Sequence, residues 1–326
     1  MTSVPELLVL TRIQGGWDLF MTRTNYVEAA RTLRRNPEQL AELWDERRRA
    51  VEAHSLSDEM RGLYEAQIER SRAAMARLAP PLLQRFEGNA VPLIEHAWLR
   101  SLPLRGSAVE AARAVLEELS LPAEEALSTV TSPPGGGPSA RVARTTTGYR
   151  ILATDDGTTS SLAALLHELG HYLYETDPGP GPIEGLVHYV ESETAGLALG
   201  RVGFDRYLAG LPEPGELRRL WASYCDTEAW LNHFYFLTEA SELGLCEPPA
   251  STVDMLYLRD SYSSSVGYQF VYAVASSLMA DDPALLVAQL APANGPGLTG
   301  ERFSLPPYLE FDPAHRRTGE ETTSTC

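Results

Sequence analysis

Between residues 162 and 173 the apolar side chains Leu162, Leu165, Leu166, Leu169 and Leu173 recur at three- and four-residue steps, the spacing of a single helix face. Ala163, Ala164, His167, Gly170, His171 and Tyr174 fall on the opposite face, which is built mainly of small residues. The pattern predicts a helix over about 162–175 that packs on one side and leaves room on the other. Ser160 and Ser161 follow the polar run Asp155 to Thr159, and a serine there caps a helix start by accepting from its free N–H groups. Upstream, residues 25–78 carry a helical pattern with Leu33, Leu40, Leu43 and Trp44 as packing positions, and further helices are expected over 82–99 and 108–119. Thr131 to Ser139 is rich in proline and glycine and breaks the periodicity. Arg141 to Thr154 reads as one or two strands ending in an Asp-Gly turn. Helix returns over 185–200, after a Pro/Gly loop from Asp177 to Pro182, and again within 214–290.

These elements predict a mainly α fold with two helical lobes, a groove between them, and a small antiparallel sheet beside the 162–175 helix. The expected organisation is an N-terminal helical lobe over 1–130, a linker over 131–139, a second lobe over 140–312 and a flexible tail over 313–326. No internal repeat is evident.

The chemistry sits on the small-residue face. In His167-Glu168-Leu169-Gly170-His171 the four-residue step turns both imidazoles to one side of the helix, where they can grip one metal ion. Zinc held by two histidines and a third protein ligand keeps a position open for water, and Glu168 is placed to take that water's proton. The expected chemistry is metal-assisted hydrolysis, and a sheet edge beside the metal would pair with an extended peptide backbone. A third ligand is expected from a second helix, and the 185–200 stretch offers Glu191 and Glu193. Glu191 continues a stripe through Val187, Thr194, Ala195 and Ala198, where a buried carboxylate needs a partner. Glu193 neighbours Leu186, Val190 and Leu197 and stays open as the alternative, with His188 behind both.

Four segments together resemble the carboxypeptidase Taq family of zinc metallocarboxypeptidases, with the thimet oligopeptidase and oligopeptidase F families as more distant kin. Arg141-Val142-Ala143-Arg144-Thr145-Thr146 resembles the strand that precedes the zinc helix in that family, and His167 to Glu175 (HELGHYLYE) is similar to its HExGHxLYE. Tyr189-Val190-Glu191-Ser192 resembles its Glu-Ser segment, which favours Glu191 as ligand, and Gly267 to Val274 resembles its Gly-Tyr-x-x-x-Tyr-x-Leu block. The resemblance implies a zinc metallopeptidase in which Tyr268 and Tyr272 donate to the reaction's oxyanion, with Tyr262 in reserve. Val190 stands where the carboxypeptidases have a histidine, and Asp260-Ser261-Tyr262-Ser263 is a shortened form of a block that holds a histidine there. A specialised processing peptidase is the expected role.

Composition narrows the partners. All 27 basic residues are arginine, and residues 151–326 hold 8 of them against 25 acidic residues, so the net charge of −17 lies on the half with the histidine motif. Such a field repels phosphate backbones and draws cationic or neutral peptides, so nucleic acid is not an expected partner. No stretch has the length of a membrane helix, the start lacks a basic signal region, and Cys225, Cys246 and Cys326 form no CxxC pair, all of which points to the cytoplasm. Two other readings use the same residues. Two histidines and one carboxylate also make the facial triad of non-haem Fe2+ oxygenases, and a shortened relative could bind peptides without cutting them.

Overall fold

The structure, a computed structural model, describes residues 49, 51–86, 99, 102–132, 140–145, 148–174, 182–212, 214–249, 267–280 and 282–291. The elements in chain order are helices α1 (Asp58–Phe86), α2 (Ala108–Glu118) and α3 (Ala123–Ser128), and strands β1 (Val130–Thr131), β2 (Arg141–Thr145) and β3 (Gly148–Leu152). Helices α4 (Thr159–Tyr174), α5 (Pro182–Ala209), α6 (Pro214–Glu242), α7 (Tyr268–Met279) and α8 (Pro283–Ala288) follow. The chain is mainly α with one small sheet. The expected packing positions Leu33, Leu40, Leu43 and Trp44, the 177–181 loop, most of the Pro/Gly linker, Tyr262 and the tail lie outside the described residues.

The histidine helix α4 starts three residues earlier than the apolar pattern indicates. Thr158 accepts from the Ser160 N–H at 3.2 Å, so the threonine is the cap and both serines sit inside the first turn. Ser161 instead accepts from the Asp156 N–H at 3.0 Å and donates back to the Asp156 carboxylate, which fixes the chain's entry into the helix. Leu162, Leu165, Leu166 and Leu169 are buried as the periodicity predicts. They join Val115, Leu116, Ile151, Leu199 and Phe204 in a core that ties α2, α3, the sheet and the back of α5 to α4. Helix α2 begins in a capping box, Ser107 accepting from the Glu110 N–H at 3.1 Å while the Glu110 carboxylate accepts from the Ser107 N–H at 2.9 Å.

The sheet is mixed, not purely antiparallel. β2 and β3 form the expected antiparallel pair, with Val142 opposite Ile151. β1 joins the other side of β3 in parallel, because the Ile151 and Ala153 N–H groups turn away from β2 to the Thr129 and Thr131 carbonyls at 3.2 and 3.0 Å. That leaves β2 as the edge nearest α4.

Helix α1 packs on α6 and α7. Leu63, Tyr64 and Ile68 share a second core with Val190 of α5, Phe236 and Leu237 of α6, and Phe270 of α7. Tyr64 stacks on Phe270 at a centroid distance of 4.8 Å, and its hydroxyl donates to buried Glu239 at 2.8 Å. Glu239 also accepts from the Gly267 N–H at 3.1 Å, which pins the start of α7. Among the described residues no helix is long and apolar enough to cross a membrane.

The tightest helix contact is α4 against α5. A β-carbon on Gly170 would lie 2.4 Å from the Ala195 carbonyl oxygen, and one on Gly196 would lie 2.9 Å from the His167 ring. The helices are therefore as close as glycine permits. Gly170→Ala must push them apart, and over-packing of this kind costs about 2 kcal/mol. The expected outcome is a lower melting temperature by calorimetry, whereas Gly185→Ala, which would meet nothing within 4 Å, leaves it unchanged apart from helix propensity.

Candidate metal centre

His167 and His171 stand one turn apart on α4, and the close approach of α5 decides where their rings point. The Gly196 backbone accepts from the His167 ring, whose Nδ1 lies on the Gly196 side. The His171 Nδ1 is 2.9 Å from the Ser192 hydroxyl, and the Ser192 backbone also accepts from that ring. With their Nδ1 edges committed to α5, the two rings turn their Nε2 atoms to one another at 3.0 Å. Two nitrogens bound at about 2.1 Å to one tetrahedral ion sit about 3.4 Å apart, so small ring movements admit a cation. Fixing one imidazole nitrogen to orient the other is how metal-binding histidines are ordinarily held.

A carboxylate of α5, that of Glu193, also reaches the pair. Its Oε2 lies 3.6 Å from His167 Nε2 and 3.8 Å from His171 Nε2. Tyr189 and Tyr272 donate to the same carboxylate, yet Oε2 is buried and accepts no hydrogen bond. A buried carboxylate oxygen without a hydrogen bond, facing two imidazole nitrogens, is an arrangement that a cation would satisfy. Glu191 is elsewhere: it accepts from the Tyr174 hydroxyl. Residues two positions apart on a helix are separated by a turn of about 200°, so only one of the two glutamates can face α4's imidazoles. The stripe through Val187, Thr194, Ala195 and Ala198 is buried in part as expected, but it leads Glu191 to Tyr174. His188 packs its ring 5.8 Å from that of Tyr174, outside the group.

Glu168 sits on the sheet side. Its Oε2 accepts from the Val142 N–H of edge strand β2 at 2.8 Å. The side-chain ligand atoms of His167, Glu168 and His171 all lie within 4.8 Å of one another, a group that could hold a metal ion. Glu168 has a backbone donor whereas Glu193 Oε2 has none, which divides the two carboxylates into a strand-anchored one and one aimed at the imidazoles.

Burial sets the charge state. Loss of water lowers the His167 pKa to about 4, against the nearby Glu228 charge and the Gly196 carbonyl. His171 falls to about 3, through burial and the proximity of His167, against the Ser192 carbonyl. Burial lifts Glu168 to about 7, opposed by the Val142 N–H. Glu193 rises to about 7 through burial and the Glu168 charge, opposed by the two tyrosine hydroxyls. The imidazoles are thus neutral, the form that binds metal, and both carboxyls hold protons far more readily than free glutamate.

The two tyrosines of α7 divide. Tyr272 donates to Glu193 and is also hydrogen-bonded to Tyr268, so it braces the carboxylate. Tyr268 stacks near Tyr272 at a centroid distance of 4.7 Å, and both line a cavity of about 380 Å³ that opens beside His167 and Glu168. Tyr189 and Ser192 escape a reading of the sequence, although Tyr189 precedes Glu193 by the same four-residue step that pairs the histidines. No family model, no curated protein and no solved structure matches the chain.

Zinc titration of the metal-free protein provides the check. Removing a ligand costs more than the 10- to 100-fold typical of an outer partner, so Glu193→Gln is expected to weaken zinc by about a hundredfold or more, and Glu191→Gln by about threefold at most. Zinc must displace the Glu193 proton, held with a pKa of about 7, whereas the imidazoles are already neutral above about 4. Apparent affinity therefore rises with pH up to about 7 and levels off above it. Equal effects of the two substitutions in competition titrations would refute the assignment.

Proposed function

We propose that this chain is a zinc-dependent peptidase, with His167, His171 and Glu193 as the metal ligands and Glu168 as general base. The observation that carries the reading is the unpartnered Glu193 Oε2 facing two Nε2 atoms that are themselves turned together. Zinc in such a site makes water a nucleophile near neutral pH and polarises a carbonyl oxygen. The three ligands bring one formal negative charge and two neutral donors, a set common to hydrolytic zinc sites.

The chain's own residues then divide the work. Glu168, with a pKa of about 7, accepts a proton from the attacking water at its carboxylate and can return it to the leaving amine. Val142, whose N–H holds Glu168 Oε2, keeps that carboxylate in place and sets the edge of β2 alongside the site. With the Val142 N–H given to Glu168, the Val142 carbonyl, at a β2 position turned away from β3, is the main-chain group this edge offers an extended peptide. Tyr268, which lines the same cavity as Glu168, offers a hydroxyl for a developing oxyanion. Tyr272 acts through Glu193 by holding the carboxylate that binds the metal. The likeness of four segments to the carboxypeptidase Taq family supports a zinc peptidase, although it favours Glu191 as the ligand where the geometry favours Glu193.

The test is metal quantification on the purified protein, followed by digestion of a peptide library with and without chelator. Cleavage lost on chelation and restored by zinc is the expected result. Iron in the site with oxygen consumption, and no cleavage, would overturn the reading. Glu168→Gln is expected to keep its zinc while hydrolysis falls by about 10²- to 10⁴-fold, the usual contribution of a general base.

A further inference from the structure

The cavity continues well past the metal ligands. One face of α6 forms its far wall, with Trp221, Tyr224, Cys225 and Glu228 at successive three- and four-residue steps. Small residues opposite, Ala163, Ala164 and Gly200, leave the space that larger side chains would fill. At about 380 Å³ it holds far more than the roughly 30 Å³ of a water molecule and has room for a long side chain.

Its walls have a definite chemistry. Trp221 and Tyr224 lie parallel within 9° at a centroid distance of 5.0 Å, and the Trp221 ring is fixed by donating from Nε1 to the Arg201 carbonyl at 2.9 Å. Glu228 accepts from the Tyr224 hydroxyl at 2.7 Å, and among the described residues no arginine pairs with it. Among the described residues the one arginine in the lining, Arg201, already faces Asp226 at 3.8 Å. The charge left over for a ligand is therefore negative, and it stands close enough to act on His167.

We infer that this cavity receives a basic side chain, arginine or lysine, of a peptide whose scissile bond lies at the metal centre, with Glu228 as counter-charge and Trp221 and Tyr224 as aromatic wall. The position of the scissile bond rests on the peptidase reading; recognition of the side chain needs no turnover. A cation beside aromatic rings and a carboxylate gains from both. An acidic side chain would meet Glu228 and Glu168 together, with only an already paired arginine to offset them. The excess of 25 acidic over 8 basic residues in 151–326 attracts the same class of peptide from a distance.

The experiment is equilibrium binding, by calorimetry, of two end-blocked glycine-rich pentapeptides to the chelator-treated full-length protein. One peptide carries a central arginine and the other citrulline, which keeps the shape and loses the charge. A charge-assisted contact in a half-buried site predicts that the arginine peptide binds about tenfold tighter or more. Glu228→Gln should bring the two affinities within about twofold, and Glu228→Arg should turn the preference toward a glutamate peptide. Equal binding of the two peptides to the unaltered protein, or binding of neither, overturns the inference whether or not the variants fold. The two readings separate cleanly: an arginine preference without zinc-dependent cleavage sinks the peptidase reading and keeps the pocket, and cleavage of peptides with no such preference does the reverse.

Discussion

Everything at the centre of this protein follows from how closely α4 and α5 approach. Gly170 against the Ala195 carbonyl, and Gly196 against the His167 ring, allow a separation that any β-carbon would prevent. At that distance the backbone of α5 reaches the Nδ1 edges of both imidazoles, so the ring orientations are fixed by main-chain groups that cannot swing away. Main-chain anchoring is stiffer than anchoring by long side chains, and a stiff first shell is what a selective metal site requires. The same approach brings Glu193 within 4 Å of both Nε2 atoms while its neighbour two positions back is carried round to Tyr174.

Burial acts on the site with two signs. Taking imidazoles out of water favours their neutral form, and taking carboxyls out of water favours theirs, so a set that would be ionic at the surface is close to neutral inside. Neutral imidazoles are ready ligands. Carboxyls near pKa 7 are different: they are held as acids until a positive charge arrives, and they exchange protons most easily near neutrality. In the proposed reading one of them, Glu193, surrenders its proton to the metal, and the other, Glu168, keeps the capacity to shuttle one. What separates these roles is their anchoring: the Val142 N–H ties Glu168 to the sheet, whereas Tyr189 and Tyr272 hold Glu193 with Oε2 toward the imidazoles.

The cavity shows how a helical bundle can leave room without losing its core. Two apolar clusters lie on either side, one tying α2 and the sheet to α4, the other tying α1 to α6 and α7. Between them α6 presents aromatic and polar side chains where a packed helix would present leucine, and α4 and α5 present alanine and glycine. Bulky groups on one wall and small ones on the other make a void of defined shape, in contrast to the interdigitated packing of the cores. Among the described residues no arginine pairs with Glu228 in that wall, which leaves a negative charge there for a cationic ligand.

Helix α4, its two faces, the shared side of His167 and His171, and the β2–β3 pair were all legible in the sequence, because each depends on periodicity within a short stretch of chain. The helix start lies three residues earlier because Thr158 takes the cap and Thr159, Ser160 and Ser161 form a polar first turn that leaves no mark in the apolar pattern. β1 escaped notice since two residues leave no periodic trace, and its parallel pairing made the sheet mixed. Which of Glu191 and Glu193 faces the imidazoles, the tyrosines that donate to Glu193, and the place of Glu228 beside His167 were decided only by tertiary structure. A sequence specifies which residues share a helix face through local geometry, but which face meets another helix depends on the rotation and distance at which the two pack. Here that rotation was set by glycines on both helices, and no reading of either helix alone contains it.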